Sequence, residues 1–278
     1  RLLLANITQG AFHDAAERGD PPKCRPHTRE AILAEITEWI KDPEERRRFV
    51  IWLYGPAGSG KTAICQSIAE ICEREGLLAA SFFLGRLAAG RDSTSFIIAT
   101  LAYQLSRSIP EIEGPLITAI EKDPTIFSRT LATQMQVLIV EPLMSIHSTN
   151  HPRLVIIDGV DECGPNNTAH EELLNTLGNS IYESPNFPLV FLVGSRPEYE
   201  IRTAFNKDPL SSLTKSLALD DGYKPDDDIK AYFEVQLREI QQNLLPLLSR
   251  PWPTESDINI LVKKASGQFI FASTAIKF

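Results

Sequence analysis

The chain has no C-x-x-C pair, no block of basic residues, no membrane-length apolar run and no internal repeat. Each absence excludes something. Its four cysteines, Cys24, Cys65, Cys72 and Cys163, are scattered through 278 residues. Zinc-ribbon and dithiol redox sites need paired thiols at short spacing. Cys24 and His27 form half of such a motif with no second half. Cys65 and Cys72 share a helical pattern, where small buried hydrophobes are expected. Unpaired thiols suit a reducing interior, so the expected location is cytoplasmic. Nothing reads as a signal peptide or as a bilayer-spanning helix, and a membrane is not an expected partner. The net charge is −8. Without a basic stripe to neutralise a phosphate backbone, nucleic acid is not an expected partner either. Arg46, Arg47 and Arg48 follow Glu44 and Glu45 and read as a solvated loop. The chain begins at Arg1 and stops within a helical pattern at Phe278, as a piece of a longer protein would.

With 43% apolar residues, the chain can bury a full core. Residues 1–28 read as a short helix over Leu2 to Ala16 and then a linker, because Gly19, Pro21 and Pro22 cannot sit inside a helix. A helix follows with Thr28 as its N-cap and Ile32, Ile36, Trp39 and Ile40 on one face. Strands and helices then alternate. Strands are expected at 49–54, 79–84, 153–158, 189–194 and about 213–219. They are continuously apolar, so both of their faces should be covered. Helices are expected at 61–75, 95–108, 111–121, 130–145, 169–183 and 197–206. Beyond Pro225 only helical patterns remain, at 226–240, 255–265 and 268–278. The expected fold is α/β, a P-loop NTPase of the AAA+/STAND kind. It has a three-layer parallel sheet (29–222) after an N-terminal helix and linker (1–28), and ends in a small helical subdomain (223–278).

Chemistry concentrates at three strand ends. Phe49 to Tyr54 runs into Gly55, Pro56, Ala57, Gly58, Ser59, Gly60, Lys61 and Thr62, the pattern G-x-x-x-x-G-K-T. A phosphate chain needs many backbone N–H donors aimed at one point, and glycines let the backbone approach without a Cβ in the way. The helix that follows adds its positive end. Lys61 would neutralise the outer phosphates and Thr62 would ligate Mg²⁺. Ala63 continues the first turn of that helix within the same binding set.

The second strand end is Leu154 to Asp158, followed by Gly159, Val160, Asp161 and Glu162. A buried strand there delivers Asp158 to the sheet edge, where it would hold Mg²⁺ with Thr62. Asp161 and Glu162 could orient or deprotonate an attacking water, and the choice between them stays open. The third is Val190 to Gly194, then Ser195, Arg196 and Pro197, where Arg196 could reach a γ-phosphate.

Together these motifs resemble the NACHT family of signal-transducing P-loop ATPases, in its fungal branch. Gly55 to Thr62 matches the Walker A element of that family. Asp158-Gly159-Val160-Asp161-Glu162 matches its unusual Walker B, and Gly194 to Pro197 looks like its sensor 1. Pro22 to Arg29, Thr100 to Leu105 and Ser266 to Phe271 extend the likeness over nearly the whole chain.

The resemblance implies a nucleotide-operated switch in an NLR-like protein of innate immunity. It would rest with ADP and open on exchange for ATP, with Mg²⁺. It would then self-associate and cluster an effector carried on the same longer chain, with sensor repeats and a winged-helix subdomain beyond Phe278. Arg29 would lie near the base and ribose. GTP stays an alternative, although no guanine-reading Asn/Thr-Lys-x-Asp motif occurs. A P-loop phosphotransferase and an inert nucleotide-bound oligomerisation module are the competing readings.

Overall fold

The structure, a computed structural model, describes residues 1–42, 48–86, 88, 90–146, 153–163, 168–184, 186–219, 223, 225–244 and 252–277. Arg46 and Arg47 lie outside the described residues, and Arg48 is exposed.

Five strands form one parallel sheet: β1 (Val50–Tyr54), β2 (Leu78–Phe83), β3 (Leu154–Asp158), β4 (Val190–Ser195) and β5 (Thr214–Ala218). Their order is β2-β3-β4-β1-β5. Alternate residues of each strand point to opposite faces. Val50, Trp52, Val155, Ile157, Phe191 and Val193 feed one core cluster. Ile51, Leu53, Leu154, Ile156 and Leu192 feed the other. Both faces are therefore dry at β1, β3 and β4, which is why these strands read as unbroken apolar runs, whereas β5, at the sheet edge, departs from that expectation with Lys215 half-buried and Ser216 exposed.

The second face is covered by α1 (Glu30–Lys41) and α2 (Lys61–Arg74). The first face carries α3 (Ile97–Ser108), α4 (Glu113–Lys122), α5 (Leu131–Met135), α6 (Glu141–Met144), α7 (Thr168–Glu183), α8 (Tyr199–Phe205) and α9 (Leu210–Leu213). A π-helical stretch, Gln136–Val140, joins α5 to α6. Pro142, two residues after it, has no N–H to continue the ladder. Three further helices, α10 (Pro225–Leu244), α11 (Glu255–Ala265) and α12 (Phe269–Lys277), share a third cluster around Ile229, Phe233, Ile258 and Ala272. No described helix is long and apolar enough to cross a membrane.

Two local expectations are overturned. Leu2 to Ala16 is not a helix but short 3-10 turns at Leu3–Asn6 and Gln9–Ala11, with a third at Ala16–Arg18. Tertiary partners take its backbone donors: Thr8 N–H donates to Thr100 Oγ1 (3.0 Å) and His13 N–H to Ser81 Oγ (3.0 Å). Nor does Thr28 cap α1. Its hydroxyl donates to Arg25 O (2.7 Å), and the N-cap is Arg29 in the left-handed region (φ 59°). Asp228 of α10 accepts the Arg29 N–H (3.0 Å) and holds it there.

Candidate functional site

The loop from Gly55 to Gly60 leaves the C-terminal end of β1 and enters α2. Pro56 and Ala57 form its exposed tip, Gly55 and Ser59 are buried, and Ala63 is half-buried on the first turn of α2. Gly60 (φ 95°) is the N-cap of α2. Lys61 arches back over the loop, its Nζ donating to Gly55 O (2.8 Å) and Pro56 O (2.9 Å). Burial lowers the Lys61 pKa, and Asp161, then Asp158, act against that.

The sheet order brings the second carboxylate in. β4 alone separates β1 from β3, so Asp158 ends its strand close to the loop. Asp158 is 3% exposed. Burial pushes its carboxyl up to about 6, against hydrogen bonds from Thr62 and Cys65 and the charge of Lys61. Its Oδ1 has no hydrogen-bond partner. Gly194, its register partner on β4, leaves room for it: a Cβ at Gly194 would collide with Asp158 Oδ1. The Walker A threonine and the Walker B aspartate thus meet, and one buried carboxylate oxygen is left over. Hard oxygen donors of this kind fit Mg²⁺, which keeps several waters and needs only one or two side-chain ligands beside phosphate.

Asp161 and Glu162 take different surroundings on the turn after β3. Asp161 is buried and receives Arg196 twice, from N–H to Oδ1 (2.9 Å) and from Nε to Oδ2 (3.1 Å). Glu162 Oε2 accepts the Arg86 N–H (3.0 Å) near the surface. Ser195 turns away from this edge, and its buried hydroxyl accepts from Trp52 Nε1 (2.8 Å).

On the other side of the loop, Arg29 is 5% exposed. Its Nη2 donates to Ser59 O (3.0 Å), its Nε lies 3.6 Å from Asp228 Oδ2, and its guanidinium sits 4.9 Å from the Phe269 ring centroid. Ile270 N–H donates to Gly58 O (3.3 Å). The start of α12 therefore rests on the loop itself.

A family model described as nephrocystin 3, N-terminal, matches residues 27–196, more than half of the chain. The chain belongs to this family. The matched stretch holds every candidate site residue, from Arg29 to Arg196. No curated protein matches the chain. A solved structure of Drosophila ORC bound to DNA is similar at 15% identity and a TM-score of 0.46, covering 89% of this chain and 54% of that one. The chain thus spans about half the length of that structural neighbour. The exclusion of nucleic acid is corrected by this likeness, since the similar structure is bound to DNA. The error has a physical source: net charge is a sum over the chain and does not describe a local surface.

Several contributors to this nephrocystin 3 N-terminal site escaped the sequence. Cys65 was read only as a core residue, yet it bonds Asp158. Asp228 is 199 residues from Arg29 in sequence and belongs to no local motif, while Phe269 and Ile270 fall in the Ser266 to Phe271 likeness, which gives no sign that they touch the loop.

Proposed function

We propose that this chain binds a nucleoside triphosphate with Mg²⁺ in the loop Gly55 to Thr62 and hydrolyses it slowly. The observation that carries this reading is the meeting of Thr62 and Asp158, with Asp158 Oδ1 buried and unpartnered. A buried polar atom without a partner costs free energy, and a ligand that completes it returns that cost. In this reading Thr62 and Asp158 hold Mg²⁺, and phosphate oxygens replace the loop carbonyls at Lys61 Nζ. Arg196 holds Asp161 in place, and Glu162, with the less committed carboxylate, positions the water.

The finer proposal is a NACHT-type ATP/ADP switch that drives self-association, with residues 29–222 as the nucleotide module and 223–278 as a helical part closing on it. It is supported by the Walker B form Asp158 to Glu162 and by Arg29, which ties the loop to α10 and α12. Differential contact with the terminal phosphate would bias the two states.

Titration calorimetry with MgATP, MgADP and MgGTP on the wild-type chain and on Lys61→Ala tests this. Micromolar adenine-nucleotide binding that weakens at least about 100-fold in Lys61→Ala is expected. Binding unchanged in Lys61→Ala would overturn the site. A preference for GTP would keep the site and change the nucleotide.

A further inference from the structure

A second feature of the site lies outside its motifs. A cleft of about 220 Å³ opens beside Thr62, between the turn that carries Arg18 and the end of β2. Arg18, Arg91, Glu17, Phe83 and Leu84 help to line it. The sheet order fixes its place. β3 stands between β4 and β2, and Phe83 pairs in register with Asp158. The cleft is therefore on the Asp158 side of the loop. A phosphate chain held by Lys61, Thr62 and Asp158 would lie next to it.

Its two arginines are held but not neutralised. The Arg18 guanidinium lies 3.8 Å from the Phe83 ring centroid, and its Nη1 donates to His13 O (2.8 Å) and Gln66 Oε1 (2.6 Å). Gln66 is one turn along α2 from Thr62. Arg91 Nη1 donates to Gly10 O (3.3 Å). Neither arginine makes an ion pair among the described residues, although Glu17 shares the cleft. Burial, and then Arg91, bring the Arg18 pKa down to about 10, against the pull of Asp158. Like charges crowded into a half-buried cleft repel, and neither Glu17 nor Asp158 forms an ion pair with them that would offset that repulsion in full. A dianionic group with several acceptor oxygens would, because guanidinium forks match phosphoryl geometry.

We propose that Arg18 and Arg91 seat the terminal phosphate of the bound nucleoside triphosphate. The segment before α1 and the segment after β2 would then together tell tri- from diphosphate, while Arg196 is occupied by Asp161. This rests on the nucleotide reading of the loop and goes beyond it by assigning two residues from outside the motifs.

The test compares Mg²⁺ complexes of ADP and of the non-hydrolysable imidotriphosphate analogue of ATP, by calorimetry. Arg91→Gln is the primary variant, since its single long bond to Gly10 O makes it the less structural of the two. Arg18→Lys and Arg91→Lys are its companions. Arg91→Gln is expected to weaken the triphosphate analogue about 10- to 100-fold and to leave ADP within about threefold. Arg91→Lys should recover part of the loss. Unfolding of the nucleotide-free Arg91→Gln protein at the wild-type temperature would show that the fold is intact. Equal weakening of both nucleotides, or an unchanged triphosphate affinity, would overturn the proposal. Wild-type protein that binds neither nucleotide would overturn the nucleotide reading, and this proposal with it. That result is distinguishable because it involves no variant.

Discussion

The two flanks of the loop Gly55 to Thr62 are built on opposite principles. Toward β3 and β2, charge is left over: Asp158 Oδ1 has no hydrogen-bond partner, and Arg18 and Arg91 make no ion pair among the described residues, although Glu17 is near. Toward α10 and α12, charge is matched: Arg29 faces Asp228, bonds Ser59 O and covers Phe269, although its Nε and Nη1 make no hydrogen bond. A folding chain gains nothing by burying unmatched charge, whereas matched charge fixes one packing arrangement over others. The matched flank is where the protein holds itself. The unmatched flank is where the proposed nucleotide and Mg²⁺ would complete it.

Removing Arg29 should break the matched flank with the largest effect. Asp228 would then stay half-buried without its counterion, and Ser59 O would lose its donor. Arg29→Ala is expected to destabilise the chain by about 3 to 5 kcal/mol, the usual range for breaking a buried pair from one side. Urea unfolding measures it. A loss below about 1 kcal/mol would mean that the clasp is an exposed pair of little consequence.

The unmatched flank should respond with the opposite sign. The Asp158 carboxyl titrates near 6 in the folded chain, against an ordinary value of 3.8. A raised carboxyl pKa favours the folded state at low pH, and that advantage is lost as pH rises from about 4 to 6. The charging cost is up to about 3 kcal/mol at neutral pH. Asp158→Asn removes it. Without nucleotide, the variant should be more stable than wild type at pH 7.5, and the difference should vanish near pH 4. Mg²⁺-dependent nucleotide binding should be lost in the same protein. An Asp158→Asn protein less stable than wild type at pH 7.5 would mean that the carboxylate is already satisfied.

Most of the sheet was legible because strands covered on both faces leave unbroken apolar runs; all five lie within a residue or two of their expected ranges, although the edge strand β5 carries Lys215 and Ser216 and is no such run. The motif side of the site was legible for a related reason: strand, loop and helix are consecutive, so Lys61, Thr62 and Asp158 carry their context with them. What was hidden depends on distant partners. Leu2 to Ala16 has helical composition, but Thr100 and Ser81 take its backbone donors. Thr28 looks like an N-cap, but Asp228, far along the chain, fixes Arg29 instead. Arg18 and Arg91 share a cleft only because the N-terminal turns pack at the end of β2. No periodicity within either segment encodes that.

The smallest predicted effect bears on whether α12 truly rests on the loop. Gly58 sits at φ 75°, and a Cβ there would collide with the Ile270 side chain. Gly58→Ala therefore carries two costs: about 1 to 2 kcal/mol for a side chain in the left-handed region, and the displacement of Ile270. Ile270 is 58% exposed, so Ile270→Ala alone should cost less than about 1 kcal/mol. In the double variant the collision is gone and only the backbone cost remains. The double variant should thus be more stable than the sum of the single changes predicts, by about 0.5 to 1 kcal/mol in a denaturation cycle. Additive changes would mean that Ile270 and Gly58 are not in contact. The matched flank would then reduce to Arg29 and its partners, and α12 would touch the loop only through the Ile270 N–H.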